Sequence, residues 1–552
     1  MNLLNAKNRP QLRTTLENTQ YDLLIIGGGI TGAGIALDAA SRGLKVALIE
    51  KNDFASGTSS KSTKLIHGGL RYLKQFEVQL VREVGRERAT VHKLAPHLVV
   101  PEKMLLPLTK GGTYGPISTS AGLWVYDILA GVSGEDKRKM LNTKQTLKKE
   151  PLLDEKGLVG GGFYAEYRTD DARLTIENVK TAVTFGAHCI NYVEASSFIY
   201  QNEQITGANC LDKLTGETFQ INATYIISSA GPWVDSLRKK DQSLSGKHLF
   251  LSKGVHIVLP YEKLPLQQSI YFDNNDGRML FAIPRHRSTY IGTTDTPYTG
   301  DLDQIPIDLE DVNYLLEATN RMFPSIELKV EDVESSWAGL RPLIHEEGKS
   351  ASEMSRKDEI FESKSGLISI AGGKLTGYRK MAERVVNVVA DRMAKTGKDL
   401  KANSTTKIPL ANGELKNADQ VNKYKNVIAQ KIQELGLPVY YTDYLVANYG
   451  KQTDSILNNL DQNSKNLEEA VILSELDYVL ENEMICTILD FFNRRTGRLY
   501  FNLPSILPNL GAVADIMAKE LAWDNQRIQK EKEKVVKAID WVSNFSSAKV
   551  TT

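Results

Sequence analysis

The chain has 552 residues, 41% of them hydrophobic and 24% charged, with a formal net charge of +1. That length calls for two or three domains of ordinary soluble, globular composition. Near-neutral charge excludes a global field for nucleic acid. Cys189, Cys210 and Cys486 lie far apart without a C-x-x-C pair, so neither a zinc site nor a disulfide framework is expected, and reduced thiols suit a cytosolic protein.

Met1 to Gln20 is polar and is not a secretory signal. The sequence holds no run of 18 apolar residues, so no membrane-spanning helix is expected, while surface attachment stays open. Tyr21 to Glu50, YDLLIIGGGITGAGIALDAASRGLKVALIE, reads as strand, glycine turn, helix, strand. Leu23 to Ile26 has the apolar run of a parallel strand buried on both faces. Gly27, Gly29 and Gly32 have the G-x-G-x-x-G spacing: a sharp turn, close backbone approach to a pyrophosphate, and close helix–strand packing. The helix start offers N–H groups to phosphate. Glu50, 18 residues after Gly32, stands where an acid bonds a ribose 2′-hydroxyl and repels a 2′-phosphate, so NADP is disfavoured.

Gly57 to Thr63 is rich in small hydroxyl residues, and Thr58, Ser59 and Ser60 are candidates to hold the cofactor. His67-Gly68-Gly69 permits close approach to a flat ring, with Arg71 and Tyr72 directly after it. A helix is expected over Gln79 to Ala95. Pro101 to Glu150 is mixed, with a loop around Gly111 to Pro116, and reads as part of the substrate region or a lid. A helix from about Ala172 to Phe185 and a strand from His188 to Ala195 follow, then a β-meander over 198–227. The strand Tyr225 to Ser229 ends at Ala230-Gly231-Pro232, a second approach to the dinucleotide.

Residues 246–334 alternate strand signals with glycine and proline, as in a mostly antiparallel sheet, with a helix over 309–322 and a strand over 328–337. Leu367 to Ala371 is an apolar strand entering Gly372-Gly373-Lys374-Leu375-Thr376 and a helix to about Thr396. This is half of a P-loop without its first glycine or its metal-binding hydroxyl, so ATP is rejected. Helices are expected over 417–435, 441–462, 466–493 and 507–545, a separate helical domain with nothing that looks catalytic.

GGGITGAGIALDAASRGLKVALIE followed by TSSKSTKLIHGGLRYL resembles the FAD-dependent glycerol-3-phosphate dehydrogenases, of the aerobic, quinone-linked type. SAGPWVD, KGVHIVLP, IGTTDTPYTGD, SSWAGLRPL, SRKDEI and AGGKLTGYRKMAE extend the resemblance, in family order, over roughly residues 20–395, and Arg494-Arg495-Thr496 is similar to the family's arginine pair. The resemblance implies an α/β fold. An FAD-binding Rossmann-like domain (20–95, 156–245, 335–397) would interleave with a mostly antiparallel β substrate domain (96–155, 246–334), ahead of a C-terminal helical domain (400–552). It implies adenine contact near Val193, flavin contact at Gly373 to Thr376, and phosphate binding by Arg71, Tyr72, Arg341, Arg356 and Lys374. The conceivable active site draws further on Lys253, His67 and His256. A proton acceptor near neutral pKa favours histidine, and the choice between His67 and His256 stays open, with Lys374 as a third catalytic candidate. No metal is expected.

The implied reaction oxidises sn-glycerol 3-phosphate at C2 to glycerone phosphate, hydride going to flavin N5 and electrons then to a membrane quinone. The implied location is the inner face of the cytoplasmic membrane, attached peripherally; a homodimer stays open. Rivals are an oxidase delivering electrons to O₂, an amine or amino-acid oxidase, and a non-catalytic FAD-binding redox sensor.

Overall fold

The computed structural model describes residues 2–67, 78–130, 137–345, 357–461 and 464–545. From the N-terminus, α1 (Arg9–Glu17) leads into β1 (Gln20–Ile26), α2 (Ile30–Ser41) and β2 (Val46–Ile49). The chain crosses to a second sheet at β3 (Leu65–Ile66). It then builds α3 (Val78–Leu94), β4 (Val100–Thr109), α4 (Pro116–Ala130), β5 (Lys139–Leu141), α5 (Thr143–Lys149) and β6 (Leu158–Arg168). Through α6 (Asp171–Thr184) it returns to the first sheet for β7 (His188–Ile190), β8 (Val193–Gln201), β9 (Gln204–Asp212) and β10 (Thr218–Ser228). After α7 (Val234–Lys240) come β11 (Leu249–Pro260), β12 (Ser269–Asp273), β13 (Met279–Arg285), β14 (Ser288–Gly292), β15 (Thr296–Pro297), α8 (Leu309–Met322) and β16 (Ser335–Ile344). Then β17 (Asp358–Glu362), β18 (Ile368–Gly372) and α9 (Tyr378–Ala394) complete the first half. The C-terminal helices are α10 (Ala418–Glu434), α11 (Tyr440–Tyr449), α12 (Thr453–Asn458), α13 (Leu467–Asn482), α14 (Ile506–Leu521) and α15 (Asn525–Ser543).

The first sheet has the order β17-β18-β10-β1-β2-β7, with the hairpin β8–β9 attached through β10. Its centre is parallel: Leu23 to Ile26 lie opposite Val46 to Ile49 on one side, and Leu24 opposite Ile226 on the other. Strands buried on both faces read as continuous apolar runs, and Leu23, Leu24 and Ile25 are fully buried. The helix after the glycine turn is apolar nearly all round because sheet, α6 and α9 cover it.

The second sheet follows β15-β11-β14-β13-β12-β4-β6-β3, with β16 also on β11 and β5 also on β6. Its pairs are antiparallel except β4 with β12. The protein is thus an α/β fold of two interleaved sheets with a helical C-terminal part.

Several boundaries differ from the sequence reading. β16 begins at Ser335, not at 328, and lies along β11 with Leu249 opposite Ile344 and Val258 opposite Ser335. It therefore belongs to the second sheet, not to the nucleotide segment 335–397, and β6 likewise joins β4 rather than the segment 156–245. Residues 328–332 need no strand partner. The Asn320 amide bonds both Leu328 backbone groups, and Asp332 accepts from the Lys329 N–H. The strand expected over His188 to Ala195 breaks at Tyr192, whose φ of 57° hands its N–H to Asn52 O. Long helices expected over 441–462, 466–493 and 507–545 break where Gly450, Met484 and Ala522 take positive φ.

The C-terminal helices do not form a separate body. Trp337 and Tyr290 of the second sheet share one buried cluster with Tyr500 and Phe501. Ser335 Oγ donates to Tyr500 O at 2.6 Å and Ser336 Oγ to Val542 O at 2.7 Å. Buried ion pairs complete the docking: Arg173 grips Glu483 with both terminal nitrogens, at 2.6 and 2.8 Å, and Arg494 and Arg495 both bind Asp53. The arginines hold the Asp53 carboxyl down at about 2 against the opposing effect of its burial.

Candidate active site

A cleft with about 1930 Å³ of empty space runs between the two sheets. One end is built by backbone. Gly27 has a φ of 117°, and a Cβ on Gly32 would fall 1.9 Å from Gly27 O, so α2 starts this close to β1 only with glycine there. Gly27 and Gly29 line the cleft. Ser59 Oγ sits over the helix start and accepts from Ile30 N–H at 2.9 Å. Glu50 is fixed by the N–H groups of Gly28 (2.7 Å) and Asn52 (2.9 Å), and burial pushes its carboxyl above the ordinary value. Thr58, Ser59, Val193, Gly231, Gly373, Lys374, Leu375 and Thr376 line the same cleft. Thr58 Oγ1 donates to Leu340 O at 2.7 Å, clipping the hydroxyl loop to β16.

The other end is built by side chains on β11 and β16. Alternation along β11 sends Gly254 and His256 to the cleft and Val255 into the core on the other face. His256 is buried and stacks on Trp337 at 4.7 Å, with Nε2 3.0 Å from Thr63 Oγ1 and Nδ1 without a hydrogen-bond partner among the described residues. Burial first, then the charges of Arg341 and Lys64, hold it well below the usual histidine range, so it is neutral at pH 7. Gly292 makes room for it: a Cβ there would fall 2.0 Å from the imidazole.

Arg341 lies across the strand. Nη2 donates to Thr293 Oγ1 at 2.9 Å, and Nη1 to Thr294 O at 3.2 Å and Asp295 Oδ1 at 3.3 Å. Asp295 is itself tied to Ser252 Oγ. A Cβ on Gly254 would come 2.4 Å from Arg341 Nη2, so the guanidinium occupies the volume a side chain would take. His67 lines the cleft with its ring edge-on to Phe281, and its carbonyl accepts from Thr376 Oγ1 at 3.2 Å, joining the 67 region to the 374–376 turn.

Three sequence candidates are not at the cleft. Lys253 is one residue out of phase with Gly254 and His256, so its ammonium leaves by the opposite face to Asp311 (2.7 Å) and Asp308 (3.1 Å), at the start of α8. It is a structural ion pair, not a substrate ligand. Ser60 is buried under its own turn, Oγ facing Gly57 O and its carbonyl accepting from Lys64 Nζ. Gly32 acts through packing alone. Gly68, Gly69, Arg71, Tyr72 and Arg356 lie outside the described residues.

Lys61, Thr63 and Trp233 line the cleft without having been singled out. Burial, then the Arg494 charge, lowers Lys61 to about 8. Its signal was its place inside the hydroxyl-rich loop, where the lysines between the serines were passed over.

A long groove with a glycine cradle, a neutral histidine near an arginine, and a lysine in the same lining fits an extended dinucleotide followed by a small anionic substrate. Residues 22–383 match the FAD dependent oxidoreductases, and 403–528 the C-terminal domain of alpha-glycerophosphate oxidase. The aerobic glycerol-3-phosphate dehydrogenase of Bacillus subtilis is 49% identical, covering 96% of this chain and 97% of that protein. That of a Staphylococcus aureus strain is 48% identical, over 97% of each. A crystal structure of the Bacillus halodurans glycerol-3-phosphate dehydrogenase complexed with FAD superposes with a TM-score of 0.84 at 44% identity, covering 98% of this chain and 99% of that one. The chain belongs to the FAD-dependent glycerol-3-phosphate dehydrogenases.

Proposed function

We propose that the protein oxidises sn-glycerol 3-phosphate at C2 to glycerone phosphate and passes the electrons to a membrane quinone from a peripheral position on the cytoplasmic membrane. Its cofactor is FAD, which supplies the hydride acceptor when bound. The observation that carries the reading is that Arg341, Lys374, His67 and His256, from distant segments, line one cleft together with the glycine turn. Arg341 offers a planar fork for phosphate oxygens, and its contacts with Thr293, Thr294 and Asp295 set its direction. Lys374 adds a point charge from the turn before α9. His256, held at Nε2 by Thr63, has a lone pair to accept the hydroxyl proton, although the burial and charges that keep it neutral oppose its protonated form; His67 is the second candidate. Glu50 and the glycine turns would hold the ribose and pyrophosphate, Thr58 and Ser59 the hydroxyl-loop side, and Val193 the adenine side.

Anaerobic addition of glycerol 3-phosphate to the purified flavoprotein should bleach the flavin absorbance; a flavin that stays oxidised refutes the reading. One observation favours a second acceptor: the C-terminal segment matches a domain described from an oxidase. Comparing hydrogen peroxide yield with quinone reduction decides between O₂ and quinone.

A further inference from the structure

On α4, an apolar stripe faces solvent. Its inner side is seated: Leu123 and Thr119 press on β6 at Gly162, where a Cβ would meet them at 2.9 and 3.3 Å. On the outer side Ile117 is 87% exposed, Trp124 56% exposed, and Ala121 exposed between them. Positions 117, 121 and 124 recur at i, i+4 and i+7 and form one stripe. Beside it is an open groove whose lining includes Leu108, Ile117, Trp124, Met140 and Val159.

Among the described residues beside this groove a basic run stands out, directly after Glu135 and Asp136 in the sequence. Arg138 lines it. Residues 137–149, KRKMLNTKQTLKK, contain six lysines and arginines and no acid, and Lys137, Lys139, Lys144, Lys148 and Lys149 are exposed. Glu150, at the end of the run, is buried and accepts from Gln267 N–H and the Gln268 amide, so it does not offset them at the surface. By sequence, α4 has a single charged residue, Asp127.

We propose that α4 and the basic run 137–149 dock on an anionic phospholipid surface, with Ile117 and Trp124 entering the headgroup layer. An apolar helix face with tryptophan at its centre and cations beside it is the pattern of a helix lying in the interface plane. Anionic headgroups attract such cations over about a Debye length. A helix of 15 residues is too short to span the bilayer. The assignment rests on the proposed membrane-quinone reading and supplies its contact surface. It also brings the bilayer near the substrate end, because α4 packs on α3 and α3 on the Leu375–Gly377 turn that borders the cleft.

The test is co-sedimentation of the full-length, FAD-loaded protein with phosphatidylglycerol or phosphatidylcholine vesicles. The wild type should partition to phosphatidylglycerol vesicles and much less to phosphatidylcholine. Ile117→Glu/Trp124→Glu should abolish partitioning, and Lys137→Glu/Lys139→Glu/Lys144→Glu should weaken it roughly tenfold or more. Neither variant should change the melting temperature or dye-coupled turnover without vesicles. Wild-type protein that ignores phosphatidylglycerol, or variants that bind like wild type, would overturn the proposal. So would light scattering in which Ile117→Glu/Trp124→Glu dissociates an oligomer without lipid, since the stripe would then be a protein interface. Loss of the functional reading would look different: vesicle binding intact, with no flavin bleaching by glycerol 3-phosphate.

Discussion

Gly254→Ala puts one methyl group where Arg341 lies. The added carbon would fall 2.4 Å from Nη2, 2.7 Å from Cζ and 2.6 Å from Thr293 Oγ1. Ordinary contact begins near 3.4 Å, so the guanidinium must retreat by about 1 Å. The obstacle is the end of a flexible side chain, and Gly254 needs no positive φ, so the fold should lose less than about 1 kcal/mol. The function should lose more. Charge-assisted hydrogen bonds contribute about 1.5–3 kcal/mol each, and an ångström of displacement at a substrate clamp is enough to forfeit one. The expected result is a fall in kcat/KM for glycerol 3-phosphate of roughly 10- to 150-fold, with melting temperature and FAD content near wild type. Dye-coupled steady-state kinetics measures it. Because both changes act through one guanidinium, Gly254→Ala added to Arg341→Ala should cost little beyond Arg341→Ala alone. An unchanged kcat/KM in the single variant, or full additivity in the double, would refute the assignment of Arg341 to the substrate.

Asp53→Ala removes the carboxylate shared by the buried Arg494 and Arg495, leaving Arg494 with Asp490 and Arg495 with Glu483. Breaking a buried ion pair costs up to about 3–5 kcal/mol, and the remaining partners reduce that, so thermal unfolding should shift down by several degrees. Lys253→Met should lower stability through the lost Asp308 and Asp311 contacts while kcat/KM stays within about twofold, as steady-state kinetics can check. His97 is buried and its pKa falls to about 3, through burial first and then the charges of Arg173 and Lys180. The unfolded chain therefore binds this proton below about pH 6.5 and the native protein does not. The stability His97 permits is full above pH 6.5 and is lost as pH falls from there towards 3, at about 1.4 kcal/mol per pH unit. His97→Gln should flatten the melting temperature between pH 6.5 and 5; an unaltered slope would count against it.

What was readable in the sequence is what depends on local backbone. The turn at Gly27 to Gly32 and the strand–turn–helix at 372–376 are constrained by their own few residues, and both appear where expected. Lys253 was misread although the needed rule was in hand: with His256 facing the cleft, a residue three positions away on one strand must face the other side. Ser60 was misread because a turn does not show all its hydroxyls to one face. The breaks at Tyr192, Met484 and Ala522 depend on positive φ at residues other than glycine, which sequence signals poorly, whereas Gly450 carried its own signal. The seating of the helical domain could not be read, since Asp53 and Arg495 are 442 positions apart and the arginine pair, though noticed, does not name its partner.

That separation has a consequence for biosynthesis. Asp53 follows Glu50 by three residues and belongs to the loop that leaves the nucleotide turn, yet its counter-charges are made more than 400 residues later. At about 5–20 residues per second, the N-terminal nucleotide unit waits roughly 20–90 s for Arg494 and Arg495. During that interval a carboxylate evolved for burial stays hydrated and the loop stays loose. Anchoring of the loop that leaves the nucleotide turn is therefore a late event in the life of each chain, and chains truncated before residue 494 should show that loop more open to proteolysis.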